Sequence, residues 1–356
     1  MLACVLVSLI GVISIKSADL HSGHPAAEYH KQLFYVIAGL VLMFGLSFVD
    51  YRNWQRWAPG LYVLNLLLLL LVMRGGHSAL GAQRWIELGP LGTFQPSEPA
   101  KLVLAISLAS VLCMGTYERL RDLWKPLLVL GIPALLILKQ PDFGTTLVLL
   151  AVVTAQFFFG LPRIRDFWTF IAGVTAVALF TVGTNFVLKP FQKSRLLVFL
   201  NPKSDPQGAG YNLNQSKIAV GNGGWFGRGL FHGTQTQLNF VPEHSRDFIF
   251  TVWAEEFGLV GAAGLIALYG LMLYGGIRAM LAARDRFGFL LATGLVAMLA
   301  FHVLVNVGMT VGIMPITGIP LPFMSYGGSA ILTNFMAVGV LLNIYGQRDR
   351  GVLGNA

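Results

Sequence analysis

Long apolar runs alternate with short polar stretches along most of the chain. A helix needs roughly 20 mainly apolar residues to cross the hydrocarbon of a bilayer. The pattern therefore predicts an all-α fold, a polytopic membrane helical bundle of about ten transmembrane spans. The predicted spans are residues 1–16, 31–49, 57–73, 98–115, 124–139, 142–160, 164–187, 248–278, 287–312 and 326–346.

One polar stretch, residues 189–247, is much longer than the others and separates the seventh span from the eighth. It holds seven Lys or Arg and three Asp or Glu around a glycine-rich centre. Its run at 221–229 lacks the Gly-Lys-Ser/Thr ending of a nucleotide loop. A polar segment of this size at one face of a bundle is where we expect the chemistry.

Two other loops carry information. Residues 74–98 mix aromatic, apolar and charged side chains, which suits the membrane–water interface. Residues 312–328 are apolar, but Pro315, Pro320 and Pro322 prevent a regular helix. Irregular backbone at membrane depth must be buried in protein or line a wet cavity. We therefore expect the 312–328 loop to enter the bundle and border a cavity.

Composition supports the membrane assignment. Only 12% of the 356 residues are charged, against roughly 25% in soluble domains, and the mean hydropathy is +0.67. We predict one integral membrane domain over residues 1–356, without a nucleic-acid-binding tail. Cys4 and Cys113 are too few for a zinc site or a disulfide framework. The first apolar run lacks a basic start, which favours a span over a signal peptide.

Basic residues in short loops predict the orientation, because Lys and Arg are enriched on the cytoplasmic side. One set of loops and ends holds twelve of them and the other set holds five. The richer set includes both termini, so we expect cytoplasmic termini and an extracytoplasmic 189–247 segment. Nucleotides are not available outside the cell, so a reaction there must take its energy from the substrate.

Asp247 stands at the junction between the 189–247 segment and the eighth span. A carboxylate in the first turn of a helix is stabilised by the helix dipole, which would be a structural role. At the membrane surface, beside a cationic segment, the same carboxylate is a candidate general base. The two roles are compatible.

Other ionisable residues lie in or next to apolar spans, where charge is costly and usually functional. Glu98 and Lys101 are three residues apart, so a helix places them on one face, as an ion pair or beside a polar cavity. Asp142 follows Pro141 and is predicted to cap the sixth helix. It also lies at the depth of the expected cavity, where it is a candidate supporting residue together with Glu98 and Lys101. Glu255 and Glu256 point in different directions on a helix, and each needs a partner, such as a basic residue, or protonation.

Two polar residues of the ninth span, His302 and Asn306, are predicted to pack or hydrogen-bond between helices. No cluster of His and Cys indicates zinc. The carboxylates could hold a divalent cation such as Mg²⁺ or Mn²⁺, since hard cations prefer oxygen ligands. The spacing does not identify the ligands.

Several motifs, in order along almost the whole chain, resemble the SEDS family (shape, elongation, division and sporulation). They are Gly81-Ala82-Gln83-Arg84-Trp85-Ile86, Gln95-Pro96-Ser97-Glu98 with Lys101, Gln140-Pro141-Asp142-Phe143-Gly144-Thr145, Asp205-Pro206, Gly210-Tyr211, Gln215-Ser216, Gly223-Gly224 with Gly227 and Gly229, Pro242-Glu243, Asp247-Phe248-Ile249-Phe250, Gly318-Ile319-Pro320-Leu321-Pro322-Phe323 and Ser325-Tyr326-Gly327-Gly328-Ser329.

The resemblance implies a ten-span peptidoglycan glycosyltransferase that polymerises lipid II, with a class B penicillin-binding protein as its transpeptidase partner. The family's essential aspartate falls on Asp247, and its intramembrane pair falls on Glu98 and Lys101. The family usually has His-Thr before the aspartate, where this chain has Ser245 and Arg246, so we assign no catalytic histidine.

A second implication concerns the branch of the family. The run Ala254-Glu255-Glu256 and the short tails indicate the elongation branch rather than the division branch. The elongation machinery is then the wider set of partners.

Three functions stay open at this point. In an inverting glycosyltransferase, Asp247 is the general base, and the candidate ligands of the departing diphosphate are Arg84, Lys189, Lys193 and Arg195. In a lipid II flippase, a polar path for the headgroup is lined by Glu98, Lys101 and Glu255. In a scaffold that only activates its partner, Asp247 is dispensable.

Overall fold

A computed structural model of the chain gives its architecture. The structure describes residues 1–19, 27–75, 77–79, 82–87, 89, 92–183, 195, 198–199, 201, 205, 208–238, 240–241 and 243–348. Every contact given below lies within these ranges.

A helix overlaps each of the ten predicted spans. They are α1 (Leu2–Asp19), α2 (Ala27–Phe48), α3 (Tyr51–Gly75), α4 (Ser97–Met114), α5 (Trp124–Lys139), α6 (Phe143–Gly160), α7 (Ile164–Gly183), α10 (Ile249–Leu281), α11 (Arg286–Val311) and α12 (Gly328–Gly346). Two shorter helices, α8 (Ala209–Gly223) and α9 (Thr234–Gln237), lie in the polar segment. A 3₁₀ turn, Leu120–Leu123, precedes α5.

Length and hydropathy support membrane crossing. In the part of the chain that the structure describes, nine helices are long and apolar enough to span a bilayer. The remaining predicted span, α5, has 16 residues. At ~1.5 Å per residue it is about 24 Å long, slightly shorter than the roughly 30 Å hydrocarbon core. The protein is a multi-pass helical membrane protein, which confirms the predicted fold class.

The chain divides into two compact units, and each is described by itself. The first, called the Asp247 unit, comprises Met1–Ala38, Leu188–Leu273 and Ala300–Ile331. The second, called the Asp142 unit, comprises Gly39–Val187, Tyr274–Leu299 and Leu332–Ala356. The single-domain assignment made from the sequence stays a prediction.

The polar segment of the Asp247 unit contributes to an apolar core. Val198, Leu213, Ala219 and Val241 of the segment are buried together with a set of residues from the adjacent spans and loop, namely Phe248, Met309 and Ile316. This core is built from apolar side chains that are scattered through a polar sequence. The described part of the segment is therefore folded.

Helix α10 is interrupted at Gly258, where φ is 62° and ψ is −160°. The sequence predicted one continuous span there. The backbone N–H groups of the next two residues, Leu259 and Val260, donate at 2.8 and 3.1 Å to the carbonyls of Gly224 and Trp225 in the polar segment. The segment thus supplies acceptors that the interrupted helix lacks, which is why a break within a membrane span is tolerated.

The 312–328 loop is irregular, as predicted, and its residues 321–325 are buried. The cavity that it was expected to border stays a prediction. Its carbonyl oxygens accept hydrogen bonds from three buried side chains of neighbouring helices. The donors are Asn306 to Ile319 O at 2.8 Å, Tyr269 to Pro322 O at 2.6 Å and Gln32 to Ser325 O at 3.0 Å. These bonds allow a non-helical backbone to lie inside the bundle.

The Asp142 unit contains the only strands among the described residues, and the sequence did not predict them. β1 (His77–Ala79), β2 (Ala82–Glu87) and β3 (Thr93–Phe94) form an antiparallel sheet in the order β1-β2-β3. Ile86 pairs with Phe94, and Glu87 pairs with Thr93. The aromatic and β-branched residues of the 74–98 loop, first assigned to the membrane interface, also favour strands.

Candidate functional site

Asp247 lies two residues before α10 begins, and its side chain is partly exposed. Arg195 is also partly exposed. A Cβ atom built on Gly318 would lie 3.2 Å from Nη1 of Arg195 and 3.2 Å from Oδ2 of Asp247. The guanidinium and the carboxylate are therefore within about twice that distance of each other. We call these three residues the Asp247 site.

The backbone that carries Asp247 is held at three successive carbonyl oxygens. Those of residues 245, 246 and 247 accept, in that order, from Tyr326 N at 2.9 Å, Ser325 Oγ at 2.6 Å and Asn306 Nδ2 at 2.8 Å. Two of these donors, Ser325 and Tyr326, belong to the 312–328 loop, and the same loop contains Gly318. The loop thus contributes Gly318 to the Asp247 site, and its hydrogen bonds fix the backbone that carries Asp247.

Two physical reasons explain why position 318 is a glycine. Its φ is +73°, in the left-handed region that residues with a Cβ disfavour. The position of a Cβ is also close to both charged groups of the Asp247 site. The absence of a side chain leaves space next to the carboxylate and the guanidinium.

A second polar group forms around Asp142 in the other unit. Asp142 caps α6, since its Oδ1 accepts from Thr145 N at 3.2 Å, which confirms the predicted cap. Its Oδ2 accepts from Thr145 Oγ1 at 2.9 Å and from Gln95 and Ser97, each at 3.1 Å. This carboxylate is buried, and both of its oxygens are used in holding the fold.

Arg84 belongs to the same polar group. Its Nη1 lies 3.8 Å from Oδ1 of Asp142, and its Nε donates to Gln140 O at 2.9 Å. A further hydrogen bond joins its Nη2 to Pro141 O. Since several of its N–H groups bind the protein itself, Arg84 contributes to the connection between α5 and α6. Its role in diphosphate binding stays a prediction.

Glu98 and Lys101 form the predicted ion pair on α4. Lys101 Nζ lies 2.8 Å from Glu98 Oε2, and both side chains are buried. Buried ion pairs of this kind are costly to break, because either partner alone leaves an unpaired charge. The structure therefore supports the pairing, and a role beside a substrate cavity stays a prediction.

Comparison with known proteins assigns the chain to a family. Residues 1–350 match the family model FTSW_RODA_SPOVE, described as cell cycle protein. The chain belongs to the SEDS family. It is 39% identical over 331 residues to peptidoglycan glycosyltransferase MrdB of Escherichia coli (strain K12), covering 92% of this chain and 88% of the relative. It is 32% identical to peptidoglycan glycosyltransferase RodA of Treponema pallidum, covering 97% and 96%.

Solved SEDS structures match the same architecture. One comes from work described as "Structural coordination of polymerization and crosslinking by a peptidoglycan synthase complex", with a TM-score of 0.83, 32% identity and coverage of 98% and 96%. Another is the rod shape determining protein RodA of Thermus thermophilus, with a TM-score of 0.72, 32% identity and coverage of 98% and 95%. Each match covers nearly the whole of this chain.

The histidine next to the SEDS aspartate motif binds the backbone. His244 Nδ1 lies 2.9 Å from Val241 O. Ser245 and Arg246 stand where the family usually has His-Thr, and their carbonyls accept the two hydrogen bonds from the 312–328 loop described above. The His244 ring therefore has a partner in the backbone of the polar segment.

Glu255 and Glu256 of this SEDS chain have partners that the sequence did not suggest. Glu255 accepts from Gln235 N at 2.8 Å and from Thr236 Oγ1 at 2.8 Å. Glu256 accepts from Phe231 N at 3.0 Å and from Ser17 Oγ. We expected each to need a partner, such as a basic residue, or protonation. Both carboxylates accept from backbone N–H groups of the polar segment, and hydroxyl donors come from Thr236 of the segment for Glu255 and from Ser17 of α1 for Glu256.

The structure does not test every SEDS site residue. Lys189 and Lys193 lie outside the described residues. Within the described ranges, no three or more His, Cys, Asp and Glu side chains gather in a group that could hold a metal ion. The predicted divalent cation therefore finds no ligand set there, and the charged neighbour identified at Asp247 is a cation, Arg195.

Two side chains that hold the SEDS site, Gln32 and Tyr269, were not expected from the sequence, and neither was the link from Asn306 to Asp247. Gln32 and Tyr269 bind the 312–328 loop, and Asn306 binds both that loop and Asp247. The available signal was a lone amide in an apolar span, since such a group must find a partner inside the protein. The sequence does not show which carbonyl that partner is.

Proposed function

We propose that this protein is a peptidoglycan glycosyltransferase that joins lipid II to a growing glycan strand during cell elongation. The observation that carries the proposal is the placement of Asp247 and Arg195 beside Gly318. A carboxylate able to accept a proton and a cation able to balance phosphate charge lie next to a position without a side chain. The named glycosyltransferase relatives support the same activity.

In the proposed reaction, the 4-hydroxyl oxygen of the acceptor GlcNAc attacks the anomeric carbon of the donor MurNAc. A C–O bond forms opposite the breaking bond to the diphosphate, so the configuration inverts. The hydroxyl proton passes to the Asp247 carboxylate, which acts as general base. The electron pair of the broken bond leaves with undecaprenyl diphosphate. Atoms and charge balance without a nucleotide or another co-reactant.

Arg195 supplies positive charge where the diphosphate gains negative charge. A guanidinium can donate two parallel hydrogen bonds to phosphate oxygens, and such fixed donors stabilise charge that develops in a transition state. Lys189 and Lys193 precede Arg195 in sequence and are further candidates for the same task. The diphosphate would then leave on one side of the anomeric carbon, near Arg195. The acceptor hydroxyl would lose its proton to Asp247 on the opposite side.

The proposed active face is extracytoplasmic, with both termini in the cytoplasm. The distribution of basic residues supports this orientation. A lipid diphosphate donor is already activated, so no nucleotide is needed at that face. The protein would meet lipid II directly in the outer leaflet.

The proposed partner is a class B penicillin-binding protein, within the elongation machinery. The structural match to a peptidoglycan synthase complex that coordinates polymerization and crosslinking supports a transpeptidase partner. A glycan polymerase needs a crosslinking enzyme to make a wall, and the partner would supply that activity.

A Mg²⁺ or Mn²⁺ requirement stays a prediction. Carboxylate ligands would have to gather around a hard cation, and the described residues offer no such group. No step of the proposed reaction is therefore assigned to a metal.

Two alternatives make different demands on the structure. A lipid II flippase would need Glu98, Lys101 and Glu255 to face a polar path, but these groups bind each other or the polar segment. A scaffold without activity of its own would not need Asp247. Both alternatives predict that loss of Asp247 leaves their function intact.

The decisive experiment measures polymerisation of purified lipid II by the protein together with its class B partner. We expect Asp247→Ala and Asp247→Asn to retain the fold and partner binding but to form no glycan, because neither side chain is a base. Asp205→Asn is the matched control. Asp205 also lies in the polar segment, and its carboxylate accepts from Gly208 N and Ala209 N at 3.0 Å.

An asparagine at position 205 retains one of the two acceptor oxygens, so we expect some loss of stability but polymerisation per folded protein close to that of the wild type. Normal glycan from Asp247→Ala would contradict the proposed function. In that case, lipid II translocation into liposomes would be measured to distinguish a flippase from a scaffold.

A further inference from the structure

We propose that Asn306 is a positioning residue for the glycosyl transfer, because its side-chain amide sets the distance between Asp247 and the loop at Gly318. The inference rests on the proposed function. Asn306 would contact neither sugar nor diphosphate and would act through the backbone of the catalytic aspartate.

The geometry of Asn306 is specific. The residue is 0% exposed and lies in the last two turns of α11. Nδ2 donates to Asp247 O at 2.8 Å and to Ile319 O at 2.8 Å. A single NH₂ group thus donates through both of its N–H bonds, to two carbonyls that are 72 residues apart along the chain.

These two carbonyls belong to opposite parts of the Asp247 site. One is the carbonyl of Asp247 itself. The other belongs to Ile319, the residue directly after Gly318. A Cβ built on Gly318 would lie 3.2 Å from Asp247 Oδ2. Moving the Asn306 amide would therefore move the base relative to the loop that borders it.

Few side chains could replace this amide. A hydroxyl donates one hydrogen bond and a carboxylate donates none, or one when protonated. Lysine and arginine carry the donors but also a charge, which is costly in a buried apolar span. Asparagine supplies two neutral donors from one atom on a short side chain.

The expected effect lies on the chemical step. A catalytic group misplaced by about 1 Å can lose roughly a hundredfold in rate. Substrate binding depends on other contacts, so loss of the amide should lower kcat and leave KM nearly unchanged. A purely structural role would lower the amount of folded protein and leave the kcat of the folded fraction unchanged.

The chain offers a close match as control. Gln156 in α6 is also 0% exposed. Its Nε2 donates to Ala105 O at 2.9 Å and to Leu290 O at 3.0 Å. Gln156 therefore makes the same pair of bonds in the Asp142 unit, without binding a residue of the Asp247 site. Replacing either amide by the corresponding acid removes the same donors.

The experiment compares Asn306→Asp with Gln156→Glu, each purified with the class B partner. It measures thermal unfolding and the dependence of polymerisation rate per folded protein on lipid II concentration. We expect both variants to lose stability. Only Asn306→Asp should lose kcat, by about tenfold to a hundredfold, with KM within about threefold.

Equal loss of kcat in the two variants, an unchanged kcat in Asn306→Asp or a change confined to KM would overturn the inference. If Asn306→Asp does not fold, Asn306→Ser retains one donor, and wild-type kcat in that variant would also overturn it. Asp247→Ala is measured in the same series. Normal glycan from Asp247→Ala refutes the proposed function, whereas an inactive Asp247→Ala with a fully active Asn306→Asp refutes only the positioning role.

Discussion

The Glu255 carboxylate accepts the backbone N–H of Gln235 at 2.8 Å. It also accepts from Thr234 Oγ1 at 3.2 Å and from the backbone and hydroxyl of Thr236 at 3.2 and 2.8 Å. A buried carboxylate of a membrane helix is thus bound by four donors of the polar segment. These bonds connect the fold of the segment to α10, the helix that begins next to Asp247.

Glu255→Ala should therefore destabilise the protein. Hydrogen bonds to a charged group contribute about 1.5–3 kcal/mol each, and donors left buried add to the cost. We expect a loss of about 3 kcal/mol or more in the free energy of unfolding, and a smaller loss for Glu255→Gln, which retains one acceptor oxygen. Thermal unfolding in detergent measures both.

Glu118→Ala is the control for this change, since Glu118 is exposed. Its unfolding temperature should match that of the wild type, because exposed surface substitutions usually have little effect. Equal unfolding temperatures for Glu255→Ala and Glu118→Ala would contradict the connection between the segment and α10.

Gly318→Ala should impair catalysis more than stability. The new Cβ would lie 3.2 Å from both Arg195 Nη1 and Asp247 Oδ2, so these groups must move. The positive φ adds about 1–2 kcal/mol of backbone strain. We expect polymerisation to fall by at least about tenfold, measured as glycan formed from lipid II per folded protein.

Gly224→Ala is the control that distinguishes backbone strain from crowding of the Asp247 site. Gly224 has a φ of +54°, and no atom lies within 4 Å of the position of its Cβ. Alanine there should cost a similar amount of stability and leave polymerisation within about twofold of the wild type. If Gly224→Ala lost as much activity as Gly318→Ala, backbone strain rather than space at the site would be the cause.

The sequence predicted most of the helical architecture for a simple physical reason. Apolar runs near the thickness of a bilayer have few other stable arrangements. The same logic predicted the buried loop at 312–328 and the ion pair of Glu98 and Lys101, because these features depend on local spacing.

The parts that the sequence did not predict depend on long-range contacts. The break at Gly258 needs the polar segment as a hydrogen-bond partner, and nothing in the local sequence names Gly224 or Trp225. For the same reason, the sequence did not identify the groups that donate hydrogen bonds to Glu255 and Glu256. Asn306 was recognised as a residue that bonds within the bundle, but its link to Asp247 requires coordinates.

Gly258→Ala should destabilise α10 strongly. A Cβ at this position would collide with Gly227 N and lie 2.7 Å from the carbonyl carbon of Trp225, and the φ of +62° disfavours alanine. We expect a loss of about 3 kcal/mol in the free energy of unfolding. Thermal unfolding and the yield of folded protein measure it.

Gly264→Ala is the control on the same helix. Nothing lies within 4 Å of the position of its Cβ, and alanine is favoured over glycine within a helix by about 1 kcal/mol. The control should be as stable as the wild type or slightly more stable. Wild-type stability for Gly258→Ala would mean that α10 can close the break without the polar segment.

Arg195→Ala should lower kcat by about a hundredfold if the guanidinium stabilises the departing diphosphate, the cost typical of losing one such donor. Arg195→Lys should retain part of the rate, because the charge stays but the two-pronged donor geometry is lost. The matched control is Arg228→Ala in the same segment, since Arg228 is exposed and its Nε donates to Asn222 O at 2.9 Å. Its kcat should stay within about threefold of the wild type. Equal losses for Arg195→Ala and Arg228→Ala would indicate a general effect of segment charge, and a wild-type kcat for Arg195→Ala would remove Arg195 from the mechanism.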